Sequence, residues 1–166
     1  FKAWDMEAKG WKLVDPGSNA GLDGSIAKAA ESGGNWFGYY WNPTAIIGKY
    51  DMQQVEWGVP YAGDDNWHNC IALGADNCSD PEPSAWVNSV VIALVSDNMF
   101  YNGPKEAMGY FKARTWPGTV MNEMLVWMQD TGGTGADATV EFLTNHGDLW
   151  KTWVSADVAA SVEASL

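Results

Sequence analysis

The chain has 166 residues, a net charge of −12 and a sequence pI of about 4.3, and 46% of its residues are hydrophobic. This length allows one domain or two small lobes with a packed core. The acidity argues against binding to nucleic acid or to an anionic membrane surface. The longest apolar run, residues 90–95, is far shorter than the roughly 20 residues of a transmembrane helix.

Most of the predicted strands lie in the first 95 residues. Residues 11–15 alternate and then meet Pro16-Gly17, which indicates a short strand and a turn. A helix is predicted from Ser18 or Asn19 to about Ser32, followed by a strand at residues 36–41. Further extended segments are predicted at residues 50–57 and 86–95, on either side of a long loop at residues 58–84. The order strand, helix, strand indicates an α/β fold.

The second half of the chain is predicted to be mainly helical. A short helix or turn after Pro43 precedes this half, and helices are then predicted after Pro104 and over residues 119–128, 137–146 and 148 to about 164. We therefore expect a mixed sheet flanked by helices. Residues 1–102 would form an α/β lobe that carries the aromatic strand and the cysteine loop, and residues 103–166 a C-terminal helical segment.

The two cysteines, Cys70 and Cys78, lie in a loop rich in Gly, Asn, Asp and Pro. A metal site would usually show closer cysteine spacing with more His or Cys nearby, so a short-loop disulfide is the preferred interpretation and two free thiols the alternative. A disulfide would imply an oxidising compartment such as the periplasm.

The sequence contains no motif for hydrolytic catalysis, a metal site or a bound cofactor, and we expect no enzymatic activity and no cofactor. The chain has two histidines. His146 is predicted to cap the end of a helix. His68, next to Trp67 in the long loop, is either a residue that orients a ligand carboxylate or an exposed loop residue.

Aromatic residues are the most informative feature of the chain, which contains 11 Trp. Five aromatic residues occupy the six positions of Trp36-Phe37-Gly38-Tyr39-Tyr40-Trp41, and Asn42-Pro43 follows. Aromatic faces attract cations that cannot donate hydrogen bonds, above all quaternary ammonium groups. Because ligands of open α/β sheets bind beyond the carboxyl ends of strands, the end of this segment is a candidate site. The alternative for any single ring is a role in the core.

This segment, followed by Lys49-Tyr50-Asp51-Met52, resembles a block in the substrate-binding proteins of ABC importers for glycine betaine, proline betaine and choline. The resemblance extends over about residues 10–160. It implies a type II periplasmic binding fold, with two α/β lobes that close on the ligand and a C-terminal segment that returns to the other lobe. It also implies that Trp41 is a wall of an aromatic cage, Tyr40 or Tyr39 a second wall, and Asn42 a polar contact. Trp67 and His68 are further candidate ligand-binding residues.

Two features differ from the family pattern. Thr44 stands where many members have a histidine after the proline, and a hydroxyl cannot make the same charge-assisted bond to a carboxylate. Family members are also longer, so the chain is expected to begin in the second lobe. It would then be a fragment, the product of a truncated gene, or a form that rebuilds the cleft by pairing with another copy.

We therefore expect a periplasmic or extracytoplasmic protein that binds a quaternary ammonium or sulfonium osmolyte and docks on a membrane permease. The alternatives are an oligomerising interaction module that does not bind ligand tightly, and a carbohydrate-binding module.

Overall fold

The computed structural model describes residues 1–87 and 89–166, and helices are the regular structure of this part of the chain. Two 3₁₀ turns, Ile71–Leu73 and Lys151–Trp153, accompany the α-helices. The helices are α1 (Asn19–Glu31), α2 (Ala45–Lys49), α3 (Asp64–His68), α4 (Asp97–Asn102), α5 (Lys105–Ala113), α6 (Gly118–Thr131), α7 (Gly135–Asn145), α8 (Gly147–Trp150) and α9 (Ala156–Glu163).

The predicted α/β fold, with a mixed sheet of the type II periplasmic binding kind, is wrong for the described residues, which contain no β-strand. The segments 11–15, 36–41 and 50–57 and the described part of 86–95 contain neither a helix nor a β-ladder. A strand needs a second backbone that accepts and donates its hydrogen bonds, and apolar patterning does not supply one. Between residues 58 and 87, the main-chain nitrogen of Ala85 donates to the Pro60 oxygen at 3.1 Å, which is an isolated contact rather than a ladder.

Several helix predictions are confirmed, and local capping explains their ends. The Thr134 hydroxyl accepts a hydrogen bond from the Asp137 main-chain nitrogen at 3.3 Å, and the Asp137 carboxylate accepts one from the Thr134 nitrogen at 2.8 Å. This reciprocal pair starts α7. Gly132 ends α6 with a φ of 69°, a conformation that favours glycine. His146 caps the end of α7 as predicted, with its main-chain nitrogen bonded to the Phe142 oxygen.

The single helix predicted over residues 148–164 is wrong, because the chain breaks there into α8, a 3₁₀ turn and α9. Val154 is extended at this break, with φ −131° and ψ 166°. The Ser155 side chain then accepts a hydrogen bond from the Val158 nitrogen and starts a new helix.

The chain forms two compact units, residues 1–22 with 53–90 and residues 23–52 with 91–166. In the first unit, the predicted disulfide between Cys70 and Cys78 is present, and Cys78 is buried. The Lys2 ammonium donates to the Cys78 oxygen at 3.0 Å. The buried Ser84 hydroxyl accepts a hydrogen bond from the Ala62 nitrogen at 3.0 Å and donates one to the Ala85 oxygen. The disulfide and these polar contacts hold the loops of the first unit.

The second unit contains the main apolar core, where the aromatic rings of Phe142, Trp116 and Trp153 meet. Phe142 lies 4.6 Å from the Trp116 ring centre and 5.7 Å from that of Trp153. The buried Trp150 donates its indole N–H to the Leu143 oxygen at 2.8 Å, so burial leaves this polar group satisfied. The buried residues of this core are Met124, Ala138, Phe142, Trp150, Trp153 and Ala159.

Within the described parts of the chain, no helix has the length and apolar character needed to cross a membrane.

Candidate functional site

The candidate site in the second unit is built on the turn that leads into α2. Thr44 caps this helix, and its side chain accepts a hydrogen bond from the Ile47 nitrogen at 3.4 Å. The Thr44 main-chain nitrogen donates to the Asn122 side-chain oxygen on α6 at 2.8 Å. The Asn42–Pro43 peptide bond just before it is cis. These contacts fix the residues that follow Trp41 against the second unit's longest helix.

Gly48 lets α2 approach α6 closely. A Cβ atom at this position would lie 2.9 Å from Cγ2 of Val126 and 3.0 Å from both Cβ and the main-chain oxygen of Asn122. A side chain there would force the helices apart. The glycine therefore sets the spacing on which the position of the preceding aromatic segment depends.

Tyr40 and Trp41 form a stacked pair within this segment. Their ring centres are 4.5 Å apart and their planes differ by 15°. The Tyr39 ring centre lies 6.3 Å from that of Trp41, at an interplanar angle of 33°. The space between Tyr40 and Trp41 is closed because the rings are in contact, so these two rings cannot act as opposite walls of a cage. Trp41 keeps 41% of its surface exposed, and a ligand can reach the ring only on that exposed part.

Asp23, on α1, is attached to the outer edge of this pair. The Tyr40 hydroxyl donates to the Asp23 carboxylate at 2.5 Å. Burial is the main cause that raises the pKa of Tyr40 to about 12; the hydrogen bond to Asp23 and its negative charge act in the same direction, and a hydrogen bond with Thr44 opposes them. Tyr40 is therefore neutral at physiological pH, with its ring held by the carboxylate.

Asn42 is exposed, as its candidate role as a polar contact requires. Its side-chain nitrogen lies next to Gly118 at the start of α6, 3.3 Å from where a Cβ would stand. Asn42 directly follows Trp41 in the chain, and its amide can donate and accept hydrogen bonds.

Trp67 and His68 belong to the first unit, at the end of α3. The Trp67 ring meets the Trp86 ring edge to face at 4.8 Å, and Tyr61 lies 6.4 Å away. His68 is exposed. The structure thus brings Trp67 together with Tyr61 and Trp86 in the first unit, and Tyr39, Tyr40 and Trp41 together in the second.

Two residues of the candidate site were missed in the sequence. Asp23 is 17 positions before Tyr40, and Asn122 is 78 positions after Thr44. Neither spacing is a local motif, so the sequence did not indicate these two contacts. Among the described residues there is no group of three or more His, Cys, Asp or Glu side chains that could hold a metal ion.

The comparisons with known proteins identify the family. Residues 1–145 match the family described as the substrate binding domain of the ABC-type glycine betaine transport system. No curated protein and no solved structure is a match for the chain. The family match covers most of the 166 residues and confirms the resemblance carried by the aromatic segment. The chain belongs to the family of substrate-binding domains of ABC-type glycine betaine transport systems.

Proposed function

We propose that this chain is a non-catalytic solute-binding component of an ABC importer and that it binds a quaternary ammonium or sulfonium osmolyte of the glycine betaine type. The observation that carries this proposal is the family match over residues 1–145. The exposed part of Trp41, backed by the stacked Tyr40 ring, supports the aromatic character of the site.

The proposed binding step is the transfer of a methylated cation from water to an aromatic face. A quaternary ammonium group has no N–H to lose to water, so its main favourable partner is the negative face of a ring. Trp41 would supply this face, with Tyr39 at its side. Each well-placed ring contributes about 0.5–2 kcal/mol, depending on how much water is excluded. Asn42 would bind a polar group of the ligand.

The proposed partner is an ABC permease in the membrane, and the proposed location is periplasmic or extracytoplasmic. The disulfide between Cys70 and Cys78 supports this location because disulfides persist in oxidising compartments. Closure of two lobes around the ligand, as in other solute-binding proteins, would present a new surface to the permease.

The test is a titration of intrinsic tryptophan fluorescence with glycine betaine, choline and dimethylsulfoniopropionate. The control ligand is the neutral carbon isostere of choline, in which carbon replaces the quaternary nitrogen. We expect a saturable change with at least one cationic ligand and a clearly weaker response to the isostere. The proposal fails if the folded protein responds to none of the cations, or to the isostere equally well.

The second candidate function is that of a self-associating interaction module. The observation that favours it is the apolar segment 90–95, in which Val90, Val91 and Leu94 are 81%, 95% and 85% exposed. Exposed apolar runs of this kind promote association. Sedimentation at several protein concentrations tests this candidate: it predicts a mass that rises with concentration without added ligand, and a constant monomer mass rejects it.

A further inference from the structure

A carboxylate is built into the aromatic pair of the second unit. Asp23 is partly buried on α1, and it accepts the hydrogen bond of the Tyr40 hydroxyl at 2.5 Å. The Tyr40 ring in turn lies 4.5 Å from the ring of Trp41. The Asp23 carboxylate, the Tyr40 phenol and the Trp41 indole therefore form a connected series, with one negative charge at the hydroxyl edge of the Tyr40 ring.

The polar groups of Thr44 are already committed to the fold. The Thr44 side chain accepts from the Ile47 nitrogen, and its hydroxyl donates to the Trp41 oxygen at 3.4 Å. The Thr44 main-chain nitrogen is bonded to Asn122. At Thr44, a ligand carboxylate would thus meet occupied donors, and it would also meet the negative charge of Asp23.

We propose that Asp23 is a positioning and specificity-determining residue, which holds Tyr40 against Trp41 and makes the site prefer a quaternary ammonium ligand with a net positive charge over a zwitterion. This inference rests on the proposed function. A ligand such as choline gains the attraction of the carboxylate in full. In a ligand such as glycine betaine, the ammonium group is attracted by the Asp23 carboxylate, but the ligand's own carboxylate is repelled by it, and part of the attraction is lost.

The size of the preference follows from Coulomb's law. A cation within about 6 Å of the Trp41 ring centre would be roughly 10 Å from the carboxylate. At effective dielectric constants between about 20 and 80, one such charge changes affinity by roughly twofold to fifteenfold. Partial cancellation in the zwitterion leaves an expected difference of roughly twofold to tenfold between the two ligand types.

The test compares Asp23→Asn with a matched control on the same helix, Glu31→Gln. Glu31 also accepts a tyrosine hydrogen bond, from the Tyr50 hydroxyl at 2.6 Å, and its removal changes the net charge by the same amount. In Asp23→Asn the amide oxygen can still accept from Tyr40, so the ring keeps its support while the charge is lost. The dissociation constants of choline and glycine betaine are measured by calorimetry for the wild type and both variants, with circular dichroism as the check on folding.

We expect the wild type to prefer choline, Asp23→Asn to shift the ratio of the two dissociation constants toward glycine betaine by roughly twofold to tenfold, and Glu31→Gln to leave the ratio unchanged. An unchanged ratio in Asp23→Asn, or an equal shift in both variants, overturns the inference while the proposed function stands. Absence of binding by the wild type overturns the proposed function itself.

If Asp23→Asn does not fold, the two dissociation constants are instead measured for the wild type at low and at high salt. Going from about 0.01 M to about 1 M NaCl shortens the Debye length from about 30 Å to about 3 Å. The choline preference of the wild type should then vanish, and a salt-independent preference overturns the inference.

Discussion

Replacing Gly48 by alanine tests the close packing of α2 on α6, which positions the aromatic segment. The new Cβ would lie 2.9 Å from Cγ2 of Val126 and 3.0 Å from the Asn122 main-chain oxygen, closer than ordinary van der Waals contact. The oxygen belongs to the backbone of α6 and cannot rotate away. Overpacking of this kind costs about 1–3 kcal/mol, whereas alanine gains up to about 1 kcal/mol over glycine in helix propensity. With the full propensity gain subtracted, we expect a net loss of up to about 2 kcal/mol in the free energy of unfolding.

The matched control is Gly24→Ala in α1, because a Cβ at Gly24 meets no atom within 4 Å. There only the propensity term remains, so this variant should gain up to about 1 kcal/mol. Urea unfolding followed by far-ultraviolet circular dichroism measures both variants. For a chain of this length, 1 kcal/mol corresponds to a change in Tm of roughly 2–4 °C. The packing described for α2 and α6 is refuted if Gly48→Ala stabilises the protein as much as Gly24→Ala does.

Three further predictions concern the core, the disulfide and the titration of Tyr40. Phe142→Ala removes a ring that is 5% exposed and should lower the free energy of unfolding in urea by about 3–5 kcal/mol. Val140→Ala on the same helix, at a side chain 53% exposed, should cost well under half of that. Equal losses would contradict the placement of Phe142 in the apolar core. The disulfide closes a loop with a sequence separation of 8, so reduction should lower the free energy of unfolding by about 2–3 kcal/mol in the loop-entropy account, and a denaturant midpoint that dithiothreitol leaves unchanged would argue against that role. The folded pKa of Tyr40 is raised to about 12 from the usual 10.0, so its contribution to stability is complete below pH 10 and is lost as the pH rises toward 12. In a pH titration followed by tyrosinate absorbance, the wild type should show one tyrosine with a pKa near 12, and this titration should be absent from Tyr40→Phe. If the two proteins give the same titration curve above pH 10, the hydroxyl is not held as described.

Local signals in the sequence predicted the helices better than any other part of the fold. The Thr134 and Asp137 pair and Gly132 mark helix ends by chemistry that acts over three or four residues. The predicted strands had no such local determinant, since a strand depends on a partner backbone elsewhere. Segment 90–95 is rich in β-branched residues, but its Val91 side chain is 95% exposed rather than packed in a sheet.

The candidate site could be predicted only as far as its aromatic composition. Tyr39, Tyr40 and Trp41 are adjacent in the sequence, so their proximity needed no fold. That Tyr40 stacks on Trp41 and closes the space between them is a matter of side-chain geometry, which the sequence does not contain. The contacts of Asp23 with Tyr40 and of Asn122 with Thr44 join residues 17 and 78 positions apart, and they became visible only in the structure.

The measurement that tests the central claim most directly is calorimetric titration of Trp41→Ala with choline and glycine betaine, beside the wild type and the control Trp57→Ala. Trp57 is 45% exposed, close to the 41% of Trp41, and it lies in the other unit against Trp4. Loss of one ring face worth about 0.5–2 kcal/mol should weaken binding by roughly 2- to 30-fold in Trp41→Ala, with unchanged folding and with unchanged affinity in Trp57→Ala. Wild-type affinity in folded Trp41→Ala would contradict the account, because the cation would then be bound without the ring that defines the site.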